Sequence, residues 1–134
     1  MAAGLPTEGP NAAKPRAGQV VRTDVPTCAS TDRIEEVRDR LKQSGWEACV
    51  AINHERVVMG LVRGDALAAP AGTPVEEAMD AGPATVRADE DLVALVTRLR
   101  KEDVAGIVVT TPEGRLIGML CREDAERRLA DVGG

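Results

Sequence analysis

Few side chains in this sequence are equipped for chemistry, and most of them stand apart from one another. The single histidine, His54, lies beside Glu55 at a predicted hairpin tip, where a general base would have no nucleophile within reach by sequence. It reads as a solvated turn residue. Cys28, Cys49 and Cys121 are odd in number, widely spaced and free of any C-x-x-C pattern, so they read as reduced, semi-buried thiols rather than a disulfide or zinc framework. No Gly-rich phosphate loop is present. An enzyme has no residues to stand on, and neither a catalytic nor a metal-ligating set is assigned. What remains is a pair of aspartates, Asp65 and Asp124, each opening the last helical segment of one half of the chain, with Arg63 and Arg122 just ahead of them. By residue type alone, an Asp at such a place caps its helix, a contribution of about 1 kcal/mol. The arginines, by residue type alone, read as solvated surface charges.

The elements that position these residues repeat. At an offset of 58 residues, Pro26–Gly60 falls on Ala84–Gly118 without a gap: Thr27 meets Thr85, Leu41 meets Leu99, Val50 meets Val108 and Gly60 meets Gly118. The apolar positions keep their phase throughout, as expected of two supersecondary units that bury a shared face and leave a cleft at their junction. In the first unit, extended stretches at Gln19–Arg22 and Pro26–Cys28 precede a helix over about Asp32–Ser44, with Ile34, Val37 and Leu41 as its apolar stripe. Asp32 with Glu35 can form a capping box, and Gly45 suits a left-handed stop. A hairpin of Ala48–Ile52 and Arg56–Val62 and a helical turn near Asp65–Ala68 follow. After the linker Ala69-Pro70-Ala71-Gly72, Thr73 is placed to cap a short helix with Pro74 at its first position. The second unit repeats the plan with a strand at Ala84–Val86, a helix over Asp89–Glu102, a hairpin of Ala105–Thr110 and Arg115–Leu120, and a final helix over Arg122–Asp131.

Composition narrows the function further. A chain of 134 residues with 43% apolar residues supports one domain or two half-domains packed as one, yet it has no Phe or Tyr and only Trp46. Its core must be built from Val, Leu, Ile, Met and Ala, which leaves almost no aromatic platform for stacking bases of single-stranded nucleic acid. A net charge of −5 also argues against binding a phosphate backbone. No signal peptide is evident, and no apolar stretch approaches the length of a membrane span. The expectation is a cytoplasmic protein with neither nucleic acid nor membrane as partner.

Several segments resemble the CBS domain, named after its occurrence in cystathionine β-synthase, and the tandem pair in which it usually occurs. Pro26-Thr27-Cys28 and Pro83-Ala84-Thr85-Val86 look like the family's opening strand. Arg115-Leu116-Ile117-Gly118-Met119-Leu120 looks like its last strand, and Arg122-Glu123-Asp124-Ala125 like the start of its last helix. Thr73-Pro74-Val75-Glu76-Glu77-Ala78-Met79 looks like the lead-in to a repeat. The resemblance covers about Gln19–Leu129. It implies an α+β fold of two pseudo-symmetric β-α-β-β-α repeats packed sheet to sheet, with a flexible tail over residues 1–18, repeat 1 over 19–70 and repeat 2 over 71–132. It also implies a regulatory module whose clefts bind adenosine-containing ligands (AMP, ADP, ATP, NAD-type dinucleotides or S-adenosylmethionine). Such pairs commonly form homodimers; this one would signal to a partner protein, or be part of a larger chain. A scaffold that binds no ligand and serves dimerisation or partner docking is the alternative.

By the same resemblance, Asp65 and Asp124 would accept hydrogen bonds from ribose hydroxyls beside a helix N-terminus that favours phosphate, and Arg63 and Arg122 would hold the phosphate. Thr27 and Cys28 would flank the first cleft, and Thr85 and Val86 the second. Ala48 and Cys49 in one unit, and Ala105, Gly106 and Ile107 in the other, would form the cleft walls, while Trp46 either covers a cleft or fills core. The units differ at one place. Asp124 follows Gly118 by six residues, whereas Asp65 follows Gly60 by only five. Arg63 and Cys121 also stand where the family often has Ser or Thr. These departures favour the second cleft.

Overall fold

Two small mixed β-sheets carry the fold in the computed structural model, which describes residues 14–133. The first sheet has the order β1 (Thr27–Cys28), β2 (Ala48–Ile52), β3 (Val58–Arg63), β4 (Asp80–Ala81); the second has β5 (Thr85–Arg87), β6 (Gly106–Thr110), β7 (Leu116–Cys121). In each, the opening strand runs parallel to the next and a hairpin supplies the antiparallel pair. The duplication extends to irregularities: the hairpin register slips between Ala51 and Ile52, and at the matching point between Val109 and Thr110.

Helix α1 (Ile34–Ser44) buries its predicted stripe of Ile34, Val37 and Leu41. Gly45 closes it at φ 77°, its N–H donating to the Leu41 carbonyl at 2.9 Å. The start differs from the predicted box. Glu36 Oε1 accepts the Arg33 N–H at 2.7 Å, while Asp32 lies in the preceding turn and accepts the Ala29 N–H at 2.9 Å. Glu35 instead accepts the Gly72 N–H at 2.7 Å, tying the linker to the helix. Nor does Thr73 cap helix α2 (Val75–Ala78): its hydroxyl donates to the Pro70 carbonyl at 2.6 Å. The Val75 and Glu76 N–H groups are satisfied by the carbonyls of Asp32 and Ser30. Helix α3 (Leu92–Lys101) is capped by Asp91, and α4 (Arg122–Gly133) follows β7 directly.

Each repeat lends its lead-in segment to the other. In the first sheet, β4 pairs with β3 through Gly60↔Ala81 and Leu61↔Asp80. The matching contact in the second sheet is a bridge between Arg22 and Met119, at the same 58-residue offset. Likewise Arg33 bridges Pro74, and Asp91 bridges Arg16. The predicted tail therefore ends earlier than Gly18. Residues 1–13 lie outside the described residues, but Ala17–Gln19 form a 3-10 turn and Ala17 is fully buried among Leu92, Val96 and Leu99. Its N–H donates to the Glu90 carbonyl at 2.9 Å, and an apolar residue so placed is held by repeat 2.

Val50 and Leu61 of the first sheet meet Val108, Leu116 and Met119 of the second in one apolar cluster, so the repeats pack sheet to sheet. A separate core lies under each repeat's long helix. Among the described residues, no helix is long and apolar enough to cross a membrane.

Candidate functional site

A cleft of ≈ 1170 Å³ opens between the repeats where β2 and β6 begin and where β3 and β7 end. Ala105, Gly106, Met119, Cys121 and Asp124 line it from repeat 2, and Trp46, Ala48, Arg63, Gly64 and Leu67 from repeat 1. Arg22, in the exchanged lead-in segment, completes one wall. A second cavity of ≈ 150 Å³ lies beside Asp80, Ala84, Glu102, Val104 and Ile107, and Arg63 borders it as well.

Asp124 reaches the large cleft because α4 starts immediately where β7 ends, so the third helical residue sits over the strand terminus. The Arg122 N–H donates to the Ala105 carbonyl at 2.7 Å and pins this corner. Among the described residues, the Asp124 carboxylate has one side-chain partner, Arg127, at 3.2 Å. The expected capping role is not what the bonds show, since no backbone N–H donates to this carboxylate among the described residues. Cys121 stands beside it as a neutral thiol: burial, and then the Asp124 carboxylate, push its pKa up.

Arg63 is exposed and makes neither an ion pair nor a side-chain hydrogen bond among the described residues. Arg122 is different. Its guanidinium lies 3.8 Å from Asp103 and 3.9 Å from Glu126 and is not part of the cleft lining, so of the two expected arginines only Arg63 borders the cleft.

The remaining sequence-derived positions divide. Ala105 and Gly106 line the large cleft, and Ile107 the small one. A Cβ on Gly106 would come within 2.9 Å of the Leu120 carbonyl oxygen, so the close approach of β7 at this corner calls for glycine. Thr85 and Val86 stand outside both linings. Thr85 is in register with Val108, two residues beyond Gly106, and the Val86 side chain is buried in the repeat 2 core. Thr27 and Cys28 fall outside for the same reason, Thr27 being in register with Val50. Cys49 is fully buried, and its pKa is pushed up by the hydrogen bond with Cys28 and by burial; it serves core rather than cleft. Asp65 lines neither cavity. With one residue fewer after Gly60, Arg63 stays extended, Gly64 turns at φ 58°, and Asp65 enters a 3-10 turn (Gly64–Ala68) instead of an α-helix.

Sequence reasoning does not single out Arg22. Its place in the wall follows from the segment exchange, which no residue of the lead-in announces. Trp46 is half-buried in the lining, with Arg22 Cζ 4.7 Å from its ring centroid and its indole Nε1–H donating to Asp24 at 3.3 Å.

Comparison with known proteins agrees with this architecture. Residues 75–131 match the CBS domain model. No curated protein matches the sequence. Among solved structures, the cytosolic domain of the Mg2+ channel MgtE in complex with ATP is similar at TM-score 0.79 and 21% identity, covering 86% of this chain. The present chain spans about half of that one, 49%. The CBS domain pair of protein MJ0100, in complex with 5′-methylthioadenosine and S-adenosyl-L-methionine, gives TM-score 0.77 at 17% identity, covering 88% of this chain and 98% of that one. CBSX2, a CBS-pair protein from Arabidopsis thaliana, in complex with AMP, gives TM-score 0.80 at 16% identity over 90% and 99% of the two chains. Residues 75–131 thus carry the CBS domain signature, and the chain as a whole shares the fold of CBS domain pairs.

Proposed function

We propose that this CBS pair is a non-catalytic sensor that binds an adenosine-containing ligand in the cleft at Asp124 and acts, as a homodimer, on a partner protein. The observation that carries this reading is the meeting of Asp124 and the unengaged Arg63 in one cleft between the repeats. A carboxylate with free acceptor capacity suits vicinal ribose hydroxyls, and a guanidinium suits phosphate. The ligands of the similar structures named above, ATP, AMP and S-adenosyl-L-methionine, support the same chemical class. Calorimetry and thermal unfolding with AMP, ADP, ATP, NADH and S-adenosylmethionine test it. Binding heat together with a raised Tm is expected, and Asp124→Asn should weaken the affinity about tenfold or more through loss of a charge-assisted bond. The absence of both heat and stabilisation at millimolar ligand would sink the reading. A ligand-free scaffold is the second reading, favoured by the shortened exit after Gly60 and the ≈ 150 Å³ cavity left on that side. It predicts that Asp124→Asn leaves oligomeric state and partner binding untouched.

A further inference from the structure

Trp46 is the only aromatic residue of the chain, and it lines the one cleft that Asp124 also lines. One part of it packs with the apolar clusters of both the first repeat and the sheet interface, which fixes the ring. Another part carries the Arg22 guanidinium, 4.7 Å from the ring centroid. Asp24 braces both members: its Oδ2 accepts the indole N–H at 3.3 Å and lies 3.4 Å from Arg22 Nη2. A guanidinium layered on an indole presents a flat, weakly hydrated surface, and such surfaces take the face of an aromatic heterocycle. The rest of the lining has no other aromatic ring, because the chain holds no Phe or Tyr and its one histidine, His54, is not in the lining.

We propose that the Trp46–Arg22 pair is the wall against which the base of the ligand stacks, and that it sets the preference of this cleft for ligands carrying a planar heterocycle. The proposal rests on the nucleotide reading of the cleft given above. It divides the ligand between two parts of the lining: Asp124 and Arg63 serve the sugar and the phosphate, and Trp46 with Arg22 serves the base.

The two halves of a nucleotide can be tested separately, with AMP and ribose 5-phosphate as probes. Because Trp46 is the sole tryptophan, intrinsic emission reports on this wall in the unmodified protein. Saturable change of that emission on adding AMP, with the midpoint found by calorimetry, is expected, and no change with ribose 5-phosphate. Trp46→Leu should weaken AMP binding about tenfold, as loss of one base-stacking platform does, and leave ribose 5-phosphate unaffected. Trp46→Phe should restore most of the affinity, and it also covers the case in which Trp46→Leu does not fold. AMP binding with unchanged emission, or with equal affinity in the folded Trp46→Leu or in a variant combining Trp46→Leu with Arg22→Gln, overturns the proposal and leaves the nucleotide reading standing. If AMP, ADP, ATP, NADH and S-adenosylmethionine all fail to bind the unmodified protein, both fall together.

Discussion

The carboxylate of Asp32 illustrates how one residue can be read correctly in kind and misplaced in role. It accepts the Ala29 N–H at 2.9 Å and pairs with Arg40 at 2.9 Å, while Arg40 also donates to the Thr27 carbonyl at 3.2 Å. The turn before α1 is thereby tied to the end of β1. The Ala29 bond, helped by Arg40 and opposed by partial desolvation, holds the Asp32 carboxyl below the usual aspartate range. A depressed carboxyl contributes stability that is fully present above the unfolded pKa and lost as the pH falls through the folded one. Urea unfolding of the wild type and Asp32→Asn should therefore differ at pH 7, with the wild type more stable. The difference should shrink once the pH drops below the ordinary aspartate range and vanish in strong acid; a gap that is constant with pH would show that the bond carries no titrating component. The sequence marks Asp32 as a helix-start residue, but which N–H it meets depends on where the turn places the helix, a choice made by the bonds from Gly72 and Ala29. Asp124 shows the same limit. Its register to Gly118 is legible, whereas the diversion of Arg122 toward Asp103 and Glu126 depends on side-chain packing that no spacing encodes.

At the scale of elements, the two hairpins match each other and their surroundings do not. Gly60 and Gly118 are equivalent, and both stand where the exchanged segment of the other repeat crosses a strand. A Cβ on Gly118 would run into the Arg22 carbonyl group and come within 2.9 Å of Val21 Cγ2. On Gly60 the nearest atoms it would meet belong to the Met79 side chain, which is unbranched and yields more readily than a backbone carbonyl. Gly118→Ala should therefore destabilise the protein by about 1–3 kcal/mol and Gly60→Ala by clearly less, measured as the shift in urea midpoint. Equal losses would mean that the Arg22 crossing is no tighter than the Met79 contact. The strands, helices and hairpins at this scale were legible because apolar periodicity is a local property: the stripe of Ile34, Val37 and Leu41 lies buried as its spacing requires. The cleft walls were legible only in part. Gly106 begins a strand with Ala105 just ahead of it, and so both stand at its open end, but Thr85 and Thr27 enter their sheets two residues deeper than the cleft, a register fixed by pairing between strands distant in sequence.

The exchange of lead-in segments governs the behaviour of the whole molecule. The first sheet takes its edge strand, Asp80–Ala81, from the segment that leads into repeat 2, and α2 buries Val75 against the first core. Conversely, repeat 2 takes Ala17 into its core and the Arg22 crossing onto Met119. A cut in the linker at Ala71 therefore strips each half of the segment that closes it, and also uncovers Val50, Val108 and Leu61 of the inter-sheet cluster. Exposing such a cluster costs roughly 1.5–3 kcal/mol for each large aliphatic side chain, which exceeds what a fragment of about sixty residues can spare. The intact protein should thus unfold in one cooperative transition, with coincident curves for far-UV circular dichroism and Trp46 emission, although Trp46 belongs to repeat 1. Residues 1–71 and 72–134 produced separately should each give poorly dispersed amide spectra, and mixing them should restore dispersion, because the segments that each half lacks are present on the other. A half that folds alone with native dispersion would show that the sheets close without the exchanged segments, and the cleft between them would then be a contact between two independent domains.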